Sequence, residues 1–138
     1  MICYTLDSNT ISYMLRNEGD AQRNFVREID VFGNKYTIPF IVMHEVKQWL
    51  TYRPTKTSKE RNEKFDELFA KVIVQAEMPI NVWEKATEIY IELRSKGQMI
   101  GGADILIAAY CLVNGYTLVT RNIKDFERIE GLRLVNWF

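Results

Sequence analysis

Residues 101–126, GGADILIAAYCLVNGYTLVTRNIKDF, decide how this chain folds. Over 103–113 nearly every residue is apolar right round a helical wheel, the pattern of a helix buried on most sides. Asp104 lies in its first turn and is the only charged residue between Lys96 and Arg121. Gly101 and Gly102 precede it and let the backbone turn tightly or approach a ligand. Asn114-Gly115 reads as a C-cap pair, 116–120 as a short buried strand, and Arg121-Asn122 as the start of a polar turn closing at Asp125-Phe126. A lone carboxylate at the mouth of a buried helix, backed by a strand end and a polar turn, is a candidate site. The alternative is that Asp104 serves only the helix dipole, worth about 0.3–1 kcal/mol.

The chain before this stretch alternates strand and helix. Residues 2–6 form an apolar β-type run, followed by Asp7-Ser8-Asn9 and a helical pattern through Ile11, Met14 and Leu15. Asp7 is the only charged side chain in that opening; it, Ser8 or Asn9 can cap the helix. Asp20 is expected to cap a helix over 21–32 with Phe25, Val26 and Ile29 inward. A strand is expected over 35–40 and a helix over 41–51. Glu45 sits at the edge of that helix's apolar face, the only acid between Asp30 and Glu60. His44, the only histidine, falls on the polar face and is read as solvated. A helix over 59–74 follows, then a very short strand over 77–80. Asn81 is expected to cap a helix ending at Lys96, with Val82, Trp83, Ala86, Ile89, Tyr90 and Leu93 inward. After the decisive stretch, 132–137 makes a final strand. Strands near 2, 37, 78, 117 and 133 between helices imply one α/β domain over 1–138. Its mostly parallel sheet, of about five strands, is covered on both faces.

The totals narrow the function. Apolar residues make up 47% and charged residues 26%, as in soluble globular proteins. No apolar run spans a bilayer and no signal-type segment opens the chain, so a cytoplasmic protein without membrane contact is expected. Cys3 and Cys111 have no partners at zinc spacing and read as reduced core residues. With 18 basic and 18 acidic side chains, bulk charge does not hold this protein on nucleic acid; a local patch must. The loop bearing Arg53, Lys56 and Lys59 is one such patch, or an ordinary solvated loop.

In an open parallel sheet, ligands bind beyond the carboxyl ends of the strands. Asp7 follows the first expected strand, Glu45 lies one turn beyond the second, Asp104 opens the buried helix, and Asn122 and Asp125 follow the fourth. Each acid alone is an acceptable cap; several on one edge weaken that reading. Two carboxylates about 5 Å apart at an effective dielectric near 20 cost roughly 3 kcal/mol, so a cation or protonation is needed. All-oxygen ligands suit Mg²⁺ or Mn²⁺, and the matching chemistry is metal-assisted phosphodiester hydrolysis. No P-loop, dinucleotide fingerprint or Ser-His-Asp set competes.

Three segments carry a family resemblance: YTLDSNTISYML (4–15), IPFIVMHEV (38–46) and IGGADILIAAYCLVNGYTLVTRNIKDFERIEGLRLVNW (100–137). They resemble PIN-domain ribonucleases, and more narrowly the VapC toxins of type II toxin–antitoxin pairs. The family's three core acids map onto Asp7, Glu45 and Asp104, and Ser8 replaces the usual threonine while keeping its hydroxyl. Asn122 stands where some members carry aspartate and Asp125 is the nearest acid, so the fourth ligand and the number of ions stay open.

The resemblance implies a small α/β/α sandwich that forms a homodimer. It implies Mg²⁺- or Mn²⁺-dependent endonucleolytic cleavage of RNA, in many relatives a structured RNA such as a tRNA. A cognate antitoxin would block the site with an inserted tail, alone or in a larger toxin–antitoxin assembly. Asp7, Glu45 and Asp104 would hold the metal, with Asn122 or Asp125 completing the site. Ser8 would bond a ligand carboxylate or a phosphate, and Arg53, Lys56, Lys59 and Arg121 would contact RNA. The antitoxin helix is expected in an apolar groove offered by Ile11, Met14 and Leu15. Two other readings compete: a catalytically inactive PIN-like module that binds RNA or protein, and a phosphoryl-transfer or receiver domain. The latter needs an acid pair beside the first strand, where only Asp7 stands.

Overall fold

A computed structural model describes residues 1–52, 54–72 and 78–138. Four strands form one parallel sheet in the order β2-β1-β3-β4: β1 (Cys3–Leu6), β2 (Lys35–Thr37), β3 (Thr117–Val119) and β4 (Arg133–Val135). Tyr4 lies between Tyr36 and Thr117 in register, and Thr5 between Thr37 and Leu118. Consecutive parallel strands need crossover connections, and helices supply them. The first are α1 (Ser8–Arg16), α2 (Ala21–Phe25) running on into a π-helical turn (Val26–Val31), α3 (Phe40–Tyr52) and α4 (Ser58–Ala70). Then come α5 (Ile80–Ser95), α6 (Gly102–Asn114) and the short α7 (Ile123–Phe126). Helices α1 to α4 pack among themselves, and α5 packs on α6, giving the α/β/α sandwich.

The sheet has four strands among the described residues, not five. The expected strand over 77–80 fails in its described part: Met78 and Pro79 carry no regular structure and Ile80 opens α5; Glu77 lies outside the described residues. Pro79, not Asn81, occupies the cap position of α5, where a missing N–H costs nothing. Asp20 does precede α2, but its carboxylate makes no capping bond and pairs with Arg23 at 3.5 Å. The π-turn after Phe25 rotates the wheel, and Val26 faces out rather than in. The expected polar turn at 122–126 winds into α7.

The rest of the decisive stretch, helix α6 and strand β3, folds as read. Helix α6 buries Ile105, Ile107, Ala108, Ala109, Tyr110 and Cys111, and ends at Gly115 with φ +69°, a left-handed conformation that favours glycine. Trp137, almost wholly buried, packs edge-on against Tyr4 at 4.9 Å, joining the chain's last residues to the central strand. Ile11, Met14 and Leu15 are all buried in this core, and Met14 and Leu15 also line a cavity of about 470 Å³ with Phe25, Tyr36 and Leu68.

Candidate active site

The strand order reverses between β1 and β3, the position where an open parallel sheet leaves a crevice. Asp7 leaves β1 there and caps α1, its Oδ1 accepting the Ser8 N–H at 2.8 Å. Its Oδ2 accepts the Thr120 hydroxyl, also at 2.8 Å, from the residue that leaves β3. One carboxylate thus ties the ends of two neighbouring strands. Burial raises the Asp7 pKa, and the two hydrogen bonds oppose that by favouring the charged form.

Glu45 and Asp104 share this pocket of charge. The Glu45 pKa is raised by burial and then by the charges of Asp7 and Asp104. Asp104, in the first turn of α6, is pushed up to about 6 by burial, then by Asp7 and Asp125. Glu45 Oε1 is buried and has no hydrogen-bond partner among the described residues. A buried carboxylate oxygen without a donor is costly and calls for a cation or a proton. Asn122 Nδ2 donates to Asp125 Oδ2 at 3.0 Å, so these two candidates for the fourth position act as a pair.

Among the described residues, no three His, Cys, Asp or Glu side chains form a ready-made cage for an ion. Mg²⁺ takes few direct protein ligands and keeps several waters, so an open ring of carboxylates suits it better than a closed cage. The oxygen donors, their mutual repulsion and the unpartnered Glu45 oxygen fit such an ion.

A groove of about 820 Å³ opens from Glu45 between α1 and α3, walled by Ser8, Asn9, Ser12, Val46, Trp49 and Tyr52 among others. It lies between the first helices as expected, but Ser12, Trp49 and Tyr52 line it instead of Ile11, Met14 and Leu15. Lys56 and Lys59 are exposed around the start of α4, and Arg53 lies outside the described residues. His44 is exposed and shares a hydrogen bond with the Gln48 amide at 3.1 Å. Arg121 is exposed beside the site, and its backbone N–H donates to Asn9 Oδ1 at 3.3 Å.

Thr120 is not among the candidates the sequence suggests, and Asn9 is there only as a possible helix cap. Thr120 is fully buried, holds Asp7, and accepts both the Asn122 N–H at 3.1 Å and the Asn9 amide at 3.4 Å. Its only sequence signal is a hydroxyl residue at the end of a buried strand, where threonine is common for its shape alone.

A parallel sheet with acids gathered over its reversal point is the arrangement the resemblance to PIN domains implies. The PIN domain family matches residues 4–132, and the chain belongs to that family. Within it the chain falls among the VapC ribonuclease toxins. It is 33% identical over 138 residues to Ribonuclease VapC2 of Rickettsia felis, covering 97% of each chain. It is 28% identical to the tRNA(fMet)-specific endonuclease VapC of Salmonella typhimurium, covering 99% of each. A chain in the crystal structure of Rickettsia felis VapBC2 bound to a promoter DNA fragment superposes with a TM-score of 0.84. That match has 28% identity and covers 99% of this chain and 100% of that one.

Proposed function

We propose that this chain is a divalent-metal-dependent endoribonuclease, the toxin of a VapBC-type pair, acting in the cytoplasm as one domain. The convergence of Asp7, Glu45 and Asp104 carries the proposal: the Asp7 charge raises the pKa of both Glu45 and Asp104, the Asp104 charge raises that of Glu45, and Glu45 Oε1 is buried without a hydrogen-bond partner among the described residues. These three would hold Mg²⁺ or Mn²⁺. Such an ion, when bound, supplies Lewis acidity at the scissile phosphate and an acidified water. Thr120 and the Ser8 N–H fix the orientation and charged state of Asp7. Asn122 holds Asp125 beside Asp104, which makes Asp125 the fourth acid and Asn122 its positioning residue. The Ser8 hydroxyl, on the groove wall, takes a phosphate oxygen.

The relative named for tRNA(fMet) supports a structured RNA such as a tRNA as substrate. The Rickettsia felis VapBC2 complex supports an antitoxin partner, and the groove from Glu45 to Tyr52 is where its tail would lie. The test is cleavage of an RNA pool by the purified chain. Mg²⁺ or Mn²⁺ should support cutting, and EDTA or Asp7→Asn should stop it. Expression alone should arrest growth, and expression with the adjoining gene should not. A folded chain with intact acids that binds RNA, cuts none in either metal and is harmless would instead be an inactive binding module.

A further inference from the structure

Beside the carboxylate cluster, rings and guanidinium groups alternate in a row. The Arg121 guanidinium lies 3.6 Å from the Phe138 ring centre. It also stands 5.2 Å from the Tyr13 ring, and Nη1 donates to the Tyr13 hydroxyl at 3.1 Å. Arg16 lies 5.4 Å from the same Tyr13 ring and 5.7 Å from the Trp49 ring. Arg61 lies 5.9 Å from Trp49. The row draws on α1, α3, α4, the end of β3 and the last residue, so no local run of sequence displays it. Trp49 and Asn9 wall the groove that Glu45 opens into, and the Arg121 backbone is bonded to Asn9. The row and the carboxylates therefore meet in one cleft.

Packing alone does not account for these contacts. Trp49 is 38% exposed and Phe138 is 40% exposed, so neither ring is a core residue. Arg16 pairs with Glu18 at 3.4 Å, whereas Arg61 and Arg121 have no carboxylate partner among the described residues. Guanidinium groups bind phosphate, and exposed rings accept unpaired bases whatever their sequence. A carboxylate cluster repels an RNA backbone, so cations flanking it are needed to bring a phosphate near.

We infer that Phe138, Arg121, Tyr13, Arg16, Trp49 and Arg61 form a track for a single-stranded RNA segment leading to the carboxylate cluster. The alternation of charge and ring matches the alternation of phosphate and base in one strand. Stacking requires bases free of a partner strand, so a duplex is a poor occupant. The inference rests on the nuclease reading for what is cut at the end of the track, but binding can be tested apart from cutting.

The probes are a short fluorescent oligouridine and a blunt RNA duplex of equal length, titrated against the full chain carrying Asp104→Asn, in EDTA. The single strand should bind more tightly than the duplex. Adding Trp49→Ala should weaken single-strand binding about tenfold at every salt concentration, and Trp49→Phe should restore most of it. Adding Arg61→Ala or Arg121→Ala should reduce the salt dependence by about one counterion each. Thermal melts should find all variants folded, because the substituted side chains are at least partly exposed. Unchanged single-strand affinity in the folded Trp49→Ala and Arg121→Ala variants overturns the track. So does unchanged RNA binding together with lost co-purification of the adjoining gene's product, which would give the row to a protein partner. RNA binding that depends on the row, in a chain whose parent cuts no RNA with Mn²⁺, would uphold the track and refute the nuclease reading.

Discussion

Asp104 sits where a carboxylate without a cation is at a disadvantage. Its pKa is pushed up to about 6, while in the unfolded chain it titrates near its ordinary ~3.9. The folded state therefore takes up a proton between about pH 6 and 4, and folding is favoured as pH falls through that window. Above it the charged form costs stability. Asp104→Asn should thus raise the melting temperature of the metal-free protein near neutral pH, with the gain fading toward about pH 4. The group is half-exposed, so solvent screening limits the gain to about a few degrees. Melts in EDTA across this range check the sign; a lower melting temperature for the variant at neutral pH would contradict it. Thr120 acts the opposite way on Asp7, since its hydroxyl favours the charged carboxylate. Thr120→Val keeps the shape and deletes the donor, so the Asp7 pKa should rise further. The acid limb of the cleavage profile should move to higher pH, with about tenfold loss on the acid side and recovery above it. Thr120→Ser should behave as the parent. An equal loss at every pH would mean that Thr120 serves only the fold.

Helix α6 and strand β3 were legible because burial on all sides and a glycine cap mark them within a few residues. The acids Asp7, Glu45 and Asp104 stood out for a local reason: each is a lone acid in an apolar stretch, Asp7 and Asp104 at helix starts and Glu45 at the edge of the apolar face of α3. What the sequence hid is what local patterns do not encode. The π-helical turn over Val26–Val31 adds a residue to a helical turn with no special residue type to announce it. The bond from Thr120 to Asp7 joins residues at opposite ends of the chain. Helix α5 was half-read, since it has two apolar faces. Val82, Ala86, Ile89 and Leu93 are buried on one, while Ile80, Trp83, Tyr90 and Ile91 stay out on the other, with Ile80 at 72% and Ile91 at 61% exposure. An exposed stripe of this kind marks an association surface, and we propose that two copies of the chain would pair through it. Trp83→Glu with Ile91→Glu should give a folded monomer by light scattering, and an unchanged mass would remove α5 from the interface.

The candidate ligands reach the site from four separated parts of the chain: Asp7 after β1, Glu45 on α3, Asp104 on α6 and Asp125 on α7. In the unfolded chain they are scattered, so an ion that bridges them binds the folded molecule alone. Binding then adds RT ln(1 + [M]/Kd) to the stability of the whole domain, about 1.4 kcal/mol at ten times Kd. For a chain of this length that raises the melting temperature by about 3–6 °C. The fold also carries repulsion among these acids, which a bound cation would relieve. Two opposite effects of one substitution follow. Asp104→Asn should melt higher than the parent in EDTA, because a repelling charge is gone, yet gain less from Mn²⁺, because a ligand is gone. Asp7→Ala and Glu45→Ala should also lose most of the Mn²⁺ shift. A surface ion bound elsewhere would shift the parent and all three variants alike, so equal shifts across the set would dismiss the carboxylate ring as the metal site.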